Sequence, residues 1–225
     1  MINADGKDTR RGRRQGVKAG IDLEQILRAA STIPFDNLTM QAVADRLGVD
    51  RKAVNHHVSD RETLLELVAD DAFSRSFATV VIPAGSDWRE GSRIYGRGIA
   101  SAVAALGPLA PQLRVGASAQ SALLAATETL LAKYVESGLD LETGLRAVAL
   151  LSDICDAHGQ GVAFRERYGS GRRHLWLRQA VHDQPRNYPR YLGEAMESGL
   201  DTYDERQLDV AIEIFIQGIA GSFTS

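Results

Sequence analysis

An all-helical fold is predicted for this 225-residue chain: a three-helix head near the N-terminus, then a larger helical domain. Three observations predict it. Apolar residues recur at three- and four-residue steps along most of the chain, the spacing that lines one face of a helix. Strand-like alternation is absent, and Val80-Val81-Ile82 runs into Pro83 before a sheet could start. Helix-start signals also recur at suitable intervals.

Asp22 with Gln25, Ser59 with Glu62, Asp87 with Glu90, and Asp204 with Gln207 each set a capping acceptor three residues before Glu or Gln. Only Ser59 with Glu62 has the strict capping-box residues. Asp140 can cap a further helix once Gly138 has closed the one before it. Helices are therefore expected over 22–32, 40–47, 51–56, 60–79, 88–106, 109–114, 118–137, 141–166, 189–198 and 205–222. Pro83-Ala84-Gly85 breaks the chain, and Gly169-Ser170-Gly171 marks a loop. The implied division is a basic arm at 1–20, a small three-helix domain at 21–66, and a larger helical domain at 67–225, which the family resemblance below makes the ligand-binding and dimerisation domain.

Composition supports an ordinary globular protein with a sizeable core, at 44% hydrophobic and 24% charged residues. No run approaches the roughly 18 apolar residues of a membrane span. No apolar stretch comes after the N-terminal arginines, so no secretory signal is expected. The single Cys155 excludes an intramolecular disulfide framework and suits a reducing cytosol. Charge is unevenly spread. Residues 1–61 carry 11 Lys/Arg against 8 Asp/Glu, whereas the other 164 carry 15 against 21. The excess lies in Lys7, Arg10, Arg11, Arg13, Arg14 and Lys18. Such an arm suits a phosphate backbone, and equally a solubilising tail.

The informative stretch runs from Leu38 to Val58. Thr39 can cap a helix whose Ala42, Val43, Ala44 and Leu47 supply a buried face, and Gly48 can take the positive φ of a sharp turn. Val49 then plugs back between two helices and Asp50 caps the second. In that second helix Ala53, Val54 and either His57 or Val58 face inward, leaving Arg51, Lys52, Asn55 and His56 outside. This is helix-turn-helix grammar. Arg and Lys can grip guanine O6 and N7, and Asn can pair bidentately with adenine.

The segment from Thr39 to Leu65 resembles the tetracycline-repressor (TetR) family, through Thr39, Ala44, Leu47-Gly48-Val49, His57-Val58, Arg61 and Leu64-Leu65. Ile82 to Trp88 is similar to the link entering that family's ligand domain, and Ser137 to Leu145 to the entry of its first dimerisation helix. The resemblance implies a homodimer on a palindromic double-stranded DNA operator in the bacterial cytoplasm or nucleoid, with a small-molecule effector that releases the DNA. It further implies base contacts by Arg51, Lys52, Asn55 and His56, and phosphate contacts by Thr39, His57 and Arg61. Two departures bear on DNA and ligand. Asn55 stands where family members usually place an aromatic. Arg114 and Phe77 align with two histidines of the tetracycline repressors, one of which ligates the drug's magnesium. Arginine has no acceptor for a cation, so a tetracycline–magnesium effector is not expected.

Leu141, Leu145, Val148, Ser152, Cys155, Gly159 and Val162 recur on the helix at 141–166; Leu208, Ala211, Ile212, Phe215, Ile219 and Ser222 recur on the last helix. These stripes, with small Ser152, Gly159 and Gly218, suit a four-helix interface between subunits. Closing the subunit's own core is the alternative. By the resemblance, Tyr95, Ile99, Arg114 and Val148 line the cavity, with Phe77 at its edge. An inward Arg114 would favour an anionic or carbonyl-bearing ligand.

No catalytic residue, metal or cofactor is expected. His56 and His57 are adjacent, not four apart as in helical zinc sites. Gly96-Arg97-Gly98 and Gly159-Gln160-Gly161 come after no strand, and His158 with Asp153 lacks a nucleophile elbow. Cys155 reads as a small core residue. The rival class is a helical enzyme or carrier of a small hydrophobe.

Overall fold

The computed structural model describes residues 20–169, 176, 179, 190–199 and 204–221. The basic arm before residue 20 and Ser222 of the last stripe lie outside the described residues. Within them the helices are α1 (Leu23–Ala30), α2 (Met40–Leu47), α3 (Arg51–Asn55), α4 (Arg61–Phe77), α5 (Trp88–Ala104), α6 (Ala117–Glu136), α7 (Leu141–Tyr168), α8 (Arg190–Glu197) and α9 (Glu205–Ala220). Two 3₁₀ turns cover Phe35–Asn37 and Gly107–Gln112, and the described residues contain no strand.

The helix expected over 109–114 is thus a 3₁₀ turn that begins two residues earlier. Pro108 and Pro111 have no amide hydrogens and disfavour helical geometry in the residue before each. The α4 cap also differs from expectation. Asp60, not Ser59, accepts the Thr63 amide at 2.8 Å; the Ser59 hydroxyl is spent on Asp60 and Thr63 side chains. The reciprocal capping box forms at α1, where Gln25 N reaches Asp22 at 2.7 Å and Asp22 N reaches Gln25 at 3.1 Å. Asp87, Asp140 and Asp204 cap α5, α7 and α9 as their positions predict.

Two hydrophobic clusters share α4. Ile26, Leu38, Val43, Val54, Leu64, Leu65 and Val68 pack the head. Phe73, Phe77, Tyr95, Leu130, Leu151 and Ile212 belong to the body. Leu109, on the second 3₁₀ turn, packs against both clusters.

The body is built around the crossing of α5 and α7. Each helix offers a glycine to the other. A Cβ at Gly96 would stand 2.9 Å from the Cys155 sulfur, and one at Gly159 would stand 2.7 Å from the Ala100 carbonyl oxygen. Neither position leaves room for a side chain, so the helices approach backbone to side chain and bury large apolar area.

That packing turns part of each expected stripe into the subunit's own core, the alternative reading of those stripes. Val148, Cys155 and Gly159 on α7, and Ile212 and Phe215 on α9, are buried in the subunit's own core. Leu141 and Leu145, at the start of the same α7 stripe, stay exposed at 63% and 54%, and Leu150, on another side of the helix, at 52%; on α9 Val210 and Ile214, one turn apart, are exposed at 44% and 68%. Both helices have apolar residues on two sides, and periodicity alone does not say which side meets α5. Gly218 has nothing near the place of its missing Cβ.

Candidate nucleic-acid interface and effector cleft

Local chemistry builds the head's reading surface. Thr39 Oγ1 accepts the Ala42 amide at 3.1 Å and starts α2. Gly48 ends it at φ 66°, ψ 33°, a left-handed conformation that favours glycine. The Val49 amide returns to the Ala44 carbonyl at 3.0 Å and the Gly48 amide to Asp45 at 3.2 Å, which closes a Schellman turn. Asp50 Oδ1 accepts Lys52 N at 2.7 Å and starts α3 immediately.

The five-residue α3 is anchored by buried Val54, with Val58 buried just beyond it. Val58, not His57, is therefore the inward residue. Arg51, Lys52, Asn55, His56 and His57 are exposed, as is Thr39. Five donor-bearing side chains thus leave one short helix and its C-terminal turn on the solvent side. Arg61 is exposed as well and is also tied into the head. Its Nε donates to the Leu38 carbonyl at 2.8 Å and its guanidinium carbon lies 5.8 Å from the Phe35 ring centroid. It braces the head's own backbone.

Of the residues expected around the cavity, Phe77, Tyr95, Ile99 and Val148 come together in the body core. Phe73 stacks on Phe77 at 5.5 Å, and Tyr95 meets Phe77 edge-on at 5.9 Å. The Tyr95 hydroxyl lies 3.0 Å from Thr127 Oγ1 and 3.3 Å from Ser152 Oγ. Arg114 does not join them, which corrects the inward placement. Its side chain is 66% exposed, donates to the Pro111 and Leu113 carbonyls, and approaches Glu66 at 3.9 Å. The charged guanidinium keeps its hydration at the surface, where no buried acid is needed to offset it.

Phe77 also borders a cleft of about 480 Å³ between the end of α4, the link after it and α6; Ser74, Val80, Ile82, Ala122 and Thr129 are among its other walls. Among the described residues, its lining carries no charge. A second cleft of about 570 Å³ lies elsewhere, between α5, α7 and α9. Its walls mix apolar Ala100, Val162 and Leu208 with the charged Arg97, Glu205 and Asp209, and Arg97 and Asp209 pair at 2.8 Å.

Sequence reasoning missed Asp70. This buried carboxylate on α4 accepts the amides of Gly116 at 2.7 Å and Ser118 at 3.1 Å. A signal existed: Asp70 sits three and seven residues before Phe73 and Phe77, inside the helix's apolar stripe. Arg167, which reaches the head from α7, was missed as well. Cys155 is fully buried, and burial pushes its thiol up to about 12, so the thiolate that redox chemistry needs is suppressed. Among the described residues, no group of three or more His, Cys, Asp or Glu could hold a metal ion, and no helix is long and apolar enough to cross a membrane.

A helix-turn-helix head joined by one long helix to a helical body around an α5–α7 crossing is the fold of the TetR-family regulators, and solved structures of that class match this chain over about nine-tenths of its length. A possible TetR family transcriptional regulator from Streptomyces coelicolor A3(2) superposes with a TM-score of 0.68 at 17% identity, covering 89% of this chain and 99% of the other. ActR from Streptomyces coelicolor, solved without ligand, gives 0.65 at 22% identity, covering 92% and 98%. A single-residue variant of TetR from Acinetobacter baumannii AYE, solved with minocycline, gives 0.60 at 15% identity, covering 91% and 99%. No family model matches the sequence, and no curated protein matches it significantly.

Proposed function

We propose that this protein is a homodimeric transcriptional regulator, not an enzyme, that binds a palindromic operator through α3 and is released from it by a small molecule, acting as a repressor in the bacterial cytoplasm. One observation carries the reading. A five-residue helix, fixed on Val54 behind a glycine turn, holds Arg51, Lys52, Asn55 and His56 on its open side. In this reading those four residues meet base edges, while Thr39, His57, Arg61 and the basic arm meet phosphates. The division at 21–66 and 67–225 belongs to the same proposal, and the two cores that meet along α4 support it.

The exposed apolar side chains of α7 and α9 are the surface assigned to the second subunit, because Leu141, Leu145, Val210 and Ile214 are large, apolar and exposed among the described residues. The effector is assigned to the cleft between α4 and α6, with Phe77 in its wall, Tyr95 against Phe77, and Ile99 and Val148 in the same core. An uncharged lining studded with Ser74, Ser121 and Thr129 hydroxyls selects a neutral, largely apolar molecule with a few polar atoms. ActR has been solved with actinorhodin and the Acinetobacter protein with minocycline, so this fold accommodates ligands of that size. Arg114 has no part in this version of the site. A ligand wedged between α4 and α6 would tilt α4 and change the separation of two heads that must span about 34 Å, one DNA turn.

The deciding experiment is selection of duplexes from random DNA by the purified protein, followed by a salt titration and a metabolite screen for release. A palindromic consensus and a steep salt slope are expected. Recovery of random sequence would favour the carrier reading.

A further inference from the structure

We propose that Arg167, in the last turn of α7, is a positioning residue for the reading head: it grips Phe35 and Asp36 and so fixes the pitch of α3 against the body. This role rests on the DNA-binding reading above. The chain joins head to body through α4, and one connecting helix leaves the head able to pivot about its hinge. Arg167 supplies a contact away from that axis. Its guanidinium carbon lies 5.0 Å from the Phe35 ring centroid, and an Nη donates to Asp36 Oδ1 at 3.3 Å, across 131 residues of sequence. Arg61, from the start of α4, stands over the same ring and ties its Nε to the Leu38 carbonyl. Phe35 is thus held by one arginine from the head and one from the body.

The gripped segment leads directly into the helix-turn-helix. Leu38 is buried, and Thr39, the next residue, caps α2. The placement of 35–38 therefore sets where the reading unit begins. Helix α7 acts a second time two turns earlier, where Gln160 Nε2 donates to the Ala110 carbonyl at 2.9 Å. That bond holds the 3₁₀ turn whose Leu109 packs against both cores. A shift of α7 therefore reaches the head without passing through α4. Arginine is the residue this role needs, because a planar guanidinium can lie on a ring and hold a carboxylate together, whereas lysine offers only a point charge.

The test uses the full-length protein, the palindromic duplex selected by the wild type, and the same duplex with one base pair inserted at its centre. The insertion rotates one half-site by about 34° against the other, so a rigidly set pair of heads discriminates against it. Arg167→Ala is expected to narrow that discrimination about three- to thirtyfold while the thermal midpoint stays close to wild type. Arg167→Lys should narrow it nearly as far, because the stack is lost though the charge remains. Phe35→Leu should add little to Arg167→Ala. Equal weakening on both duplexes, unchanged discrimination, or additive effects of Phe35→Leu and Arg167→Ala would each overturn the positioning role. If the wild type enriches no sequence at all, the DNA-binding reading fails first, and the positioning role goes with it.

Discussion

The carboxylate of Asp70 on α4 accepts the backbone amide of Gly116 at 2.7 Å, so the helix that leaves the head also caps the start of α6. Ser118 N completes the cap at 3.1 Å, and Ser74 Oγ donates to the Ser118 carbonyl at 2.7 Å. A Cβ at Gly116 would stand 3.0 Å from Asp70 Oδ2, so a side chain there would crowd the carboxylate. These bonds join α4 and α6, the same two elements that flank the cleft assigned to the effector.

Asp70→Ala should lower stability by about 1–3 kcal/mol, because two partly buried amides lose their acceptor. Asp70→Asn retains an oxygen acceptor and should cost less. Urea denaturation of both variants tests the cap. Effector-driven release tests its part in coupling, which should weaken in the Ala variant even where operator affinity persists.

Asn55 and Arg61 should separate in binding assays. Asn55→Ala is expected to cost about 1–3 kcal/mol of operator affinity and relax preference at one base pair, with no change in thermal midpoint. Arg61→Ala removes the Leu38 hydrogen bond and the contact over Phe35, so it should cost about 1–2 kcal/mol of folding stability as well as affinity. Competition binding against single-base variants, with parallel melting curves, distinguishes them. Unchanged sequence preference in Asn55→Ala would mean that another face of α3 meets the bases.

Charge placed on the outward stripe should break the dimer and spare the fold. Leu145→Glu and Ile214→Glu alter side chains that are 54% and 68% exposed within one subunit, so each should shift monomer stability by only about 0.5 kcal/mol. In a dimer the same carboxylate would be buried without a partner. Sedimentation equilibrium should show monomers with unchanged helical circular dichroism. A persistent dimer would place the interface elsewhere.

Asp156, half-buried on α7, has its carboxyl pushed above the usual carboxylate range, chiefly by desolvation and further by the charge of Asp153, with a Gln160 hydrogen bond opposing the shift. A folded-state value above the unfolded one means that ionised Asp156 costs stability at neutral pH, and that this cost is relieved as the native carboxyl protonates. Asp156→Asn should therefore be more stable than wild type at pH 7, with the difference shrinking on acidification. Urea midpoints measured across a titration from neutral to acid check both the sign and the convergence.

Helix starts and the turn of the reading head were legible in the residues alone. Asp22, Thr39, Asp50, Asp87, Asp140 and Asp204 each cap through a bond to an amide two or three residues away, and Gly48 needs only its own backbone freedom. Such interactions close within one helical turn, so residue type and spacing suffice to read them. The exposed face of α3 has the same local origin, because Val54 and Val58 share its buried side. Packing between distant helices decided what lies opposite each face. It set Val148, Leu151 and Cys155 against α5 and left Leu145 and Leu150 outside, put Arg114 on the surface, and brought Asp70 to Gly116 and Arg167 to Phe35. Periodicity shows that a face is apolar, whereas its partner depends on how helices far apart in sequence fit together: at Gly96 and Gly159, that fit is the space one missing side chain leaves for another.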